Sequence, residues 1–141
     1  MNRKGFTLVE LLMVVIIIGI LVTLAVPNYY RSVERAKAGK AKATMDTIRK
    51  SELQYRAIND IYVDDLTLLT EYELPSNLSA LSVADDGDWT YTVSGSDTIS
   101  FILTAERLTG PHTGDTIIID QDGVLTDGVG AGGHDEWGIG I

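Results

Sequence analysis

Twenty-one residues from Phe6 to Val26 are interrupted in their apolar character only by Thr7, Glu10, Gly19 and Thr23, and Pro27 follows directly. As a helix rising ~1.5 Å per residue, this run reaches roughly 31 Å, about the thickness of a bilayer's hydrocarbon core. Arg3 and Lys4 stand in front of it, and basic flanks stay on the cytoplasmic side. The reading that follows is a single-pass protein of the cytoplasmic membrane whose C-terminal part lies outside.

Glu10 is foreign to an ordinary anchor. A carboxylate at the centre of a spanning helix costs about 2.5–3.5 kcal/mol, so it should sit near an interface or find a partner. A secretory signal peptide would share the basic start and could be cut near Ala25, yet its apolar core would not carry a glutamate. A plain membrane anchor would have no use for Glu10 either. The segment Lys4-Gly5-Phe6-Thr7-Leu8-Val9-Glu10 ahead of an apolar helix resembles the start of the type IV pilins and of the pseudopilins of type II secretion. The resemblance covers about the first 27 residues and includes Pro27. It implies cleavage by a prepilin peptidase between Gly5 and Phe6, N-methylation of Phe6, and assembly through Glu10 and Pro27, with Glu10 setting the register between helices in a filament.

With 141 residues, the chain has room for this helix and one small domain with a modest core. It contains no cysteine, which excludes disulfides and thiolate metal sites. The net charge of −9 is unevenly spread: residues 31–57 hold eight basic and three acidic side chains, residues 58–141 sixteen acidic ones and only Arg107. A basic rod and an acidic head could pair between neighbouring subunits, or could simply be solvated faces.

Tyr29, Tyr30 and Arg31 suit the membrane interface, where amphipathic rings and long basic chains settle. Residues 31–58 are rich in helix formers, with Gly39 as one weak point. Met45, Ile48, Tyr55, Ile58 and Tyr62 fall at helical spacing and are expected to face the domain. Arg35, Lys42, Arg49 and Arg56 recur every seven residues as a basic stripe. Nucleic acid is one reading of such a stripe, but the acidic head opposes it.

Residues 59–81 read as a connector anchored by Tyr62, Leu66, Leu69 and Leu74 and stopped by Pro75. Asp85-Asp86-Gly87-Asp88 is a turn signal. Trp89, Tyr91 and Val93 alternate with polar residues, and after a turn at 94–97 so do Ile99, Phe101, Leu103 and Ala105, which predicts a hairpin with one buried face. A third strand is expected over 116–120, with Asp122-Gly123 turning into Val124-Leu125. The fold class is therefore α+β, a long N-terminal helix packed on a small antiparallel sheet. Its parts are a leader (1–5), an apolar membrane and assembly helix (6–27), a basic amphipathic helix (28–58) and a C-terminal domain with a glycine-rich tail (59–141).

Some pseudopilins hold calcium near the C-terminus, and by that resemblance Asp120, Asp122, Asp127, Asp135 and Glu136 are the candidate oxygen ligands. Ordinary Asp-Gly turn chemistry accounts for the same residues without an ion, so no cofactor is required. His112 and His134 lie among glycines, and no nucleophile elbow, phosphate loop, dinucleotide fingerprint or histidine–carboxylate metal motif is present. The expected role is mechanical rather than enzymatic: a structural, pilin-like subunit of a homo-oligomeric helical filament, served by the prepilin peptidase and an inner-membrane assembly platform. It would leave the membrane for a surface pilus or, alternatively, as the major pseudopilin of a periplasmic pseudopilus. A monomeric membrane-anchored binding module is the competing reading from another class.

Overall fold

The structure, a computed structural model, describes residues 5–72, 74, 78 and 83–128. A single helix α1, Leu8–Asn59, runs for 52 residues, roughly 78 Å at the standard rise. It starts at Thr7, an extended N-cap, and stops at Asp60, whose left-handed backbone lets its N–H donate to the Arg56 carbonyl. Pro27 lies inside it without ending it. Proline deprives one upstream carbonyl of its donor, and nearby polar side chains bond back to the helix: Asn28 Nδ2 donates to the Leu24 carbonyl and Ser32 Oγ to that of Asn28.

Side chains of α1 begin to be buried only at Glu34. From there the inward face is Glu34, Ala38, Ala41, Met45, Ile48 and Glu52, with Tyr55 packed at its end. The alternating steps of four and three keep one stripe toward the head, and the two alanines allow the sheet to approach closely. Continuing these steps from Tyr55 arrives at position 59. Ile58 therefore points away and is exposed, contrary to the expectation that it would face the domain.

The connector packs as its apolar residues predict. Tyr62, Leu66, Leu69 and Leu74 are all buried, and Leu66–Tyr72 forms a 3-10 helix. Its start is held by the Asp65 carboxylate, which accepts from both the N–H and the hydroxyl of Thr67. Pro75 lies outside the described residues.

Five antiparallel strands then form a meander in sequence order: β1 Val83–Asp85, β2 Trp89–Ser94, β3 Ile102–Arg107, β4 Thr116–Asp120 and β5 Leu125–Asp127. The register places Trp89 opposite Arg107, Tyr91 opposite Ala105, Val93 opposite Leu103, and Leu103 opposite Ile119. Because strand side chains alternate between faces, these residues all turn inward, and the apolar ones make one core with the inward face of α1. At about 1.5–3 kcal/mol for each large apolar side chain removed from water, this layer supplies the main attraction between helix and sheet.

Two strand details differ from the expected pattern. Ile99 was expected on the buried face but is exposed, because the Asp97 carboxylate accepts the N–H groups of Ile99 and Ser100 and draws them into the turn. The inward set instead runs Phe101, Leu103, Ala105 and Arg107. Strand β1, which pairs with β2, is also additional; three residues are too few to show a period of two.

Candidate assembly site

Gly5, Phe6 and Thr7 precede the first helical turn. Thr7 Oγ1 accepts the N–H of Glu10 at 3.3 Å, while Glu10 Oε2 accepts the Thr7 N–H at 2.9 Å and its hydroxyl at 2.7 Å. This reciprocal capping box satisfies two helix-end donors and gives the acid polar company within its own chain. It also places the Gly5–Phe6 bond outside the helix, with Phe6 projecting freely at 81% exposure.

Beyond Glu10 the helix is apolar on every side, and its large apolar side chains from Leu11 to Val26 are all exposed. A helix hydrophobic all round requires lipid or other helices as its surroundings, and this one is long and apolar enough to cross a membrane. Tyr29 and Tyr30 close the run, with ring centroids 6.3 Å apart in an edge-on arrangement and both largely exposed.

The head is fastened to α1 just above this level by charges. Arg107, wholly buried, reaches Glu34 Oε1 on the helix at 3.2 Å and Asp88 Oδ1 at 3.1 Å, with its guanidinium 5.4 Å from the Trp89 ring centroid. Lys37 pairs with Asp88 at 2.8 Å and Lys40 with Asp86 at 3.1 Å. The Lys37 ammonium, followed by Arg107, holds the Asp88 carboxyl below its ordinary range despite some desolvation. At Asp86, burial pushes upward, but the Trp89 N–H, Lys40 and further donors outweigh it and leave that carboxyl lowered too. Lys37 and Lys40 thus join the rod to the acidic head within one chain.

These clamps were not anticipated. Their one sequence signal is Arg107 itself, the only cation after residue 57, standing in the same alternating phase as Leu103 and Ala105. The basic stripe serves the fold as well: Arg49 Nε donates to the Gln121 carbonyl, and Arg56 Nε to that of Thr98 while its guanidinium lies 4.9 Å from the Tyr62 ring centroid.

Of the calcium candidates only Asp120 and Asp122 have described side chains, and among the described residues no group of three or more histidine, cysteine or acidic side chains is placed to hold a metal. Asp120 Oδ1 accepts the N–H groups of Asp122 and Val124, closing the β4–β5 turn in which Gly123 takes φ +86°. That turn chemistry engages one oxygen of Asp120. Asp127 lies in β5, its side chain outside the description, and Asp135, Glu136 and His134 also lie outside the described residues, as do Arg3 and Lys4.

The site is thus an exposed apolar helical stalk, long enough to cross a membrane, with an acid near its start and an α+β head clasped to its far half. Residues 1–26 match the family carrying the prokaryotic N-terminal methylation motif. The chain is 38% identical over 63 residues to the type IV major pilin protein PilA of Myxococcus xanthus, covering 45% of this chain and 29% of that protein. It is 35% identical over 75 residues to the type IV wide pilus major component PilA4 of Thermus thermophilus (53% and 57%). A third relative is the type II secretion system core protein G of Pectobacterium carotovorum, 33% identical over 61 residues (43% and 39%). These matches span less than two thirds of each relative's length. Through its N-terminal helix the chain is similar to type IV pilins and to a type II secretion core protein.

Proposed function

We propose that this chain is the structural subunit of a helical filament of the type IV pilus kind, assembled through α1. The observation that carries the reading is the uninterrupted exposure of the apolar half of α1 with a single acid, Glu10, in its first turn. The precursor rests in the cytoplasmic membrane with the head outside. Cleavage after Gly5 frees the amine of Phe6, which is then methylated and remains cationic. That cation and Glu10 of an adjoining copy pair in a low-dielectric bundle, where an unmatched carboxylate is costly. The pairing fixes the longitudinal offset as helices exchange lipid for one another. The peptidase and a membrane assembly platform are the partners this route requires, and no catalytic role is assigned to the chain. Calcium in the C-terminal region remains a secondary proposal, to be checked by calcium titration of the folded protein.

Glu10→Ala should leave processing intact and abolish filaments in electron micrographs of sheared surface material; abundant filaments from that variant would refute the proposal. Gly5→Leu should leave the precursor uncut on an immunoblot. The match to core protein G of type II secretion supports a second reading as a major pseudopilin. Mass spectrometry of sheared shafts separates the two, since only a surface pilus is recovered from intact cells without overproduction.

A further inference from the structure

At the end of α1 farthest from the apolar run, a groove of about 280 Å³ opens between the helix and the connector. It stands roughly 50 Å beyond Val26 at the standard helical rise. Tyr55 and Asn59 of α1 form one side, and Thr67, Thr70, Glu71 and Tyr72 of the 3-10 helix form the other. Burial of the stalk, in lipid or among other stalks, does not involve this end of the head.

The two tyrosines meet edge to face, with ring centroids 5.5 Å apart and planes at 74°. Both are half-buried, and Tyr55 is fixed by packing on the core. Leu68 is the only purely apolar side chain among the described lining residues, and Asn59, Thr70 and Glu71 are exposed to solvent. The hydrogen-bonding capacity of this rim is lopsided. The Thr70 hydroxyl donates to the Thr67 carbonyl at 2.7 Å and the Thr67 hydroxyl to Asp65 at 2.6 Å, so both are left with lone pairs to offer. Asn59 donates one N–H to the Tyr55 carbonyl at 3.0 Å and keeps its amide oxygen and a second N–H. The Glu71 carboxylate has no hydrogen bond or ion pair among the described residues.

We propose that this groove binds one pyranose unit of a neutral glycan. A pyranose carries several O–H donors around its edge, and one of its faces is a patch of C–H groups that suits the negative face of an aromatic ring. The hydroxyls meet Glu71, Thr70 and Asn59, while the C–H patch rests on the exposed part of the tyrosine pair. The volume lies just under the roughly 300–1,000 Å³ of sites for drug-sized ligands, which suits a single ring. Sugars bearing a carboxylate are disfavoured by Glu71 and by a head whose residues 58–141 hold sixteen acidic side chains against Arg107 alone. A compact ammonium ion would pair with Glu71 but leave the amide and hydroxyl lone pairs unmet and most of the groove empty.

The test is an NMR titration of the isotope-labelled full chain in micelles of dodecylphosphocholine, a detergent without sugar. The probes are the methyl glycosides of glucose, galactose, mannose and N-acetylglucosamine, with glucuronate and tetramethylammonium in parallel. The amide signals of residues 67–72 should shift with at least one of the neutral sugars at millimolar concentration and stay in place with glucuronate. Glu71→Ala, at an exposed side chain, should weaken binding about tenfold, the factor that one hydrogen bond to a charged group supplies. Tyr72→Ala should weaken it as well, whereas Lys50→Ala, on the exposed surface elsewhere on the helix, should leave it unchanged. If Tyr72→Ala fails to fold, Glu71→Ala decides. The site is overturned by the absence of shifts with every neutral sugar, by equal shifts with glucuronate, by undiminished affinity in Glu71→Ala, or by tighter binding of tetramethylammonium. None of these outcomes bears on filament assembly, which Glu10→Ala tests separately.

Discussion

Replacing Glu52 with glutamine should make the protein more stable above neutral pH and remove most of its pH dependence between about 4.5 and 7. Glu52 is fully buried on the inward face of α1. Its Oε2 accepts the Val63 N–H at 3.2 Å, and its Oε1 has no hydrogen-bond partner among the described residues. Burial pushes this carboxyl up to about 7 from 4.5; the Val63 N–H opposes the rise and the nearby negative charge of Asp64 adds to it. The folded state therefore holds its proton more tightly than the unfolded chain throughout that window. Stability is greatest at and below the unfolded value, falls as pH rises, and levels off above the folded value. The loss amounts to about 2–3 kcal/mol on the scale of 1.36 kcal/mol per pKa unit, allowing for some residual solvation. Glutamine retains an acceptor for Val63 and never ionises, while its amide group leaves a donor to place at a cost of about 1 kcal/mol. The variant should thus gain about 1–2 kcal/mol over the parent at pH 8 and show little gain, or a small loss, at pH 5. In detergent micelles, thermal unfolding followed by far-ultraviolet circular dichroism would read this as several degrees in Tm, given about 4–8 °C per kcal/mol for a domain of this size. A parent protein that becomes more stable from pH 5 to pH 8, or a variant with the parent's slope, would refute the reasoning.

Two further perturbations address the clasp between head and helix. Arg107→Met should destabilise the fold by about 3–5 kcal/mol in urea unfolding, since it leaves Glu34 buried without its counter-charge; adding Glu34→Gln should restore part of the loss. Asp86 and Asp88 are held below the ordinary carboxylate range, so the stability they contribute is present above their unfolded pKa and lost as pH falls through the folded one. Lys37→Ala removes the first cause at Asp88 and should move the acid limb of the unfolding curve to higher pH; an unmoved limb would show that the 2.8 Å pair contributes nothing in solution.

The buried set was readable where periodicity was strong. Met45 and Ile48 on the helix, Trp89, Tyr91 and Val93 on β2, and Leu103 and Ala105 on β3 are all buried, since each repeats at the spacing of its own element. Ile58 and Ile99 misled because apolar character at a helix end or strand start does not say whether the element still faces the core. Glu34 and Glu52 were illegible for the opposite reason: charge predicts exposure, and only partners far away in sequence, such as Arg107, 73 positions from Glu34, make burial tolerable; Arg107 alone stood out, by its strand phase.

What the amino-acid order determined alone was local: an apolar run of membrane length, an acid and a threonine spaced for a capping box, and two kinds of periodicity that yield one helix and a meander. These depend on side chains within a few residues of each other, so the physics that reads them is already complete in the string. The tertiary structure decided where the rod stops being free and starts being held, at Glu34, and which charges hold it. It also brought the loop that holds Pro111 and His112 down beside Tyr30, Arg31 and Glu34 of the helix. Such contacts depend on how two faces meet in three dimensions, and the energy of a charge is set by the burial and partners it finds there.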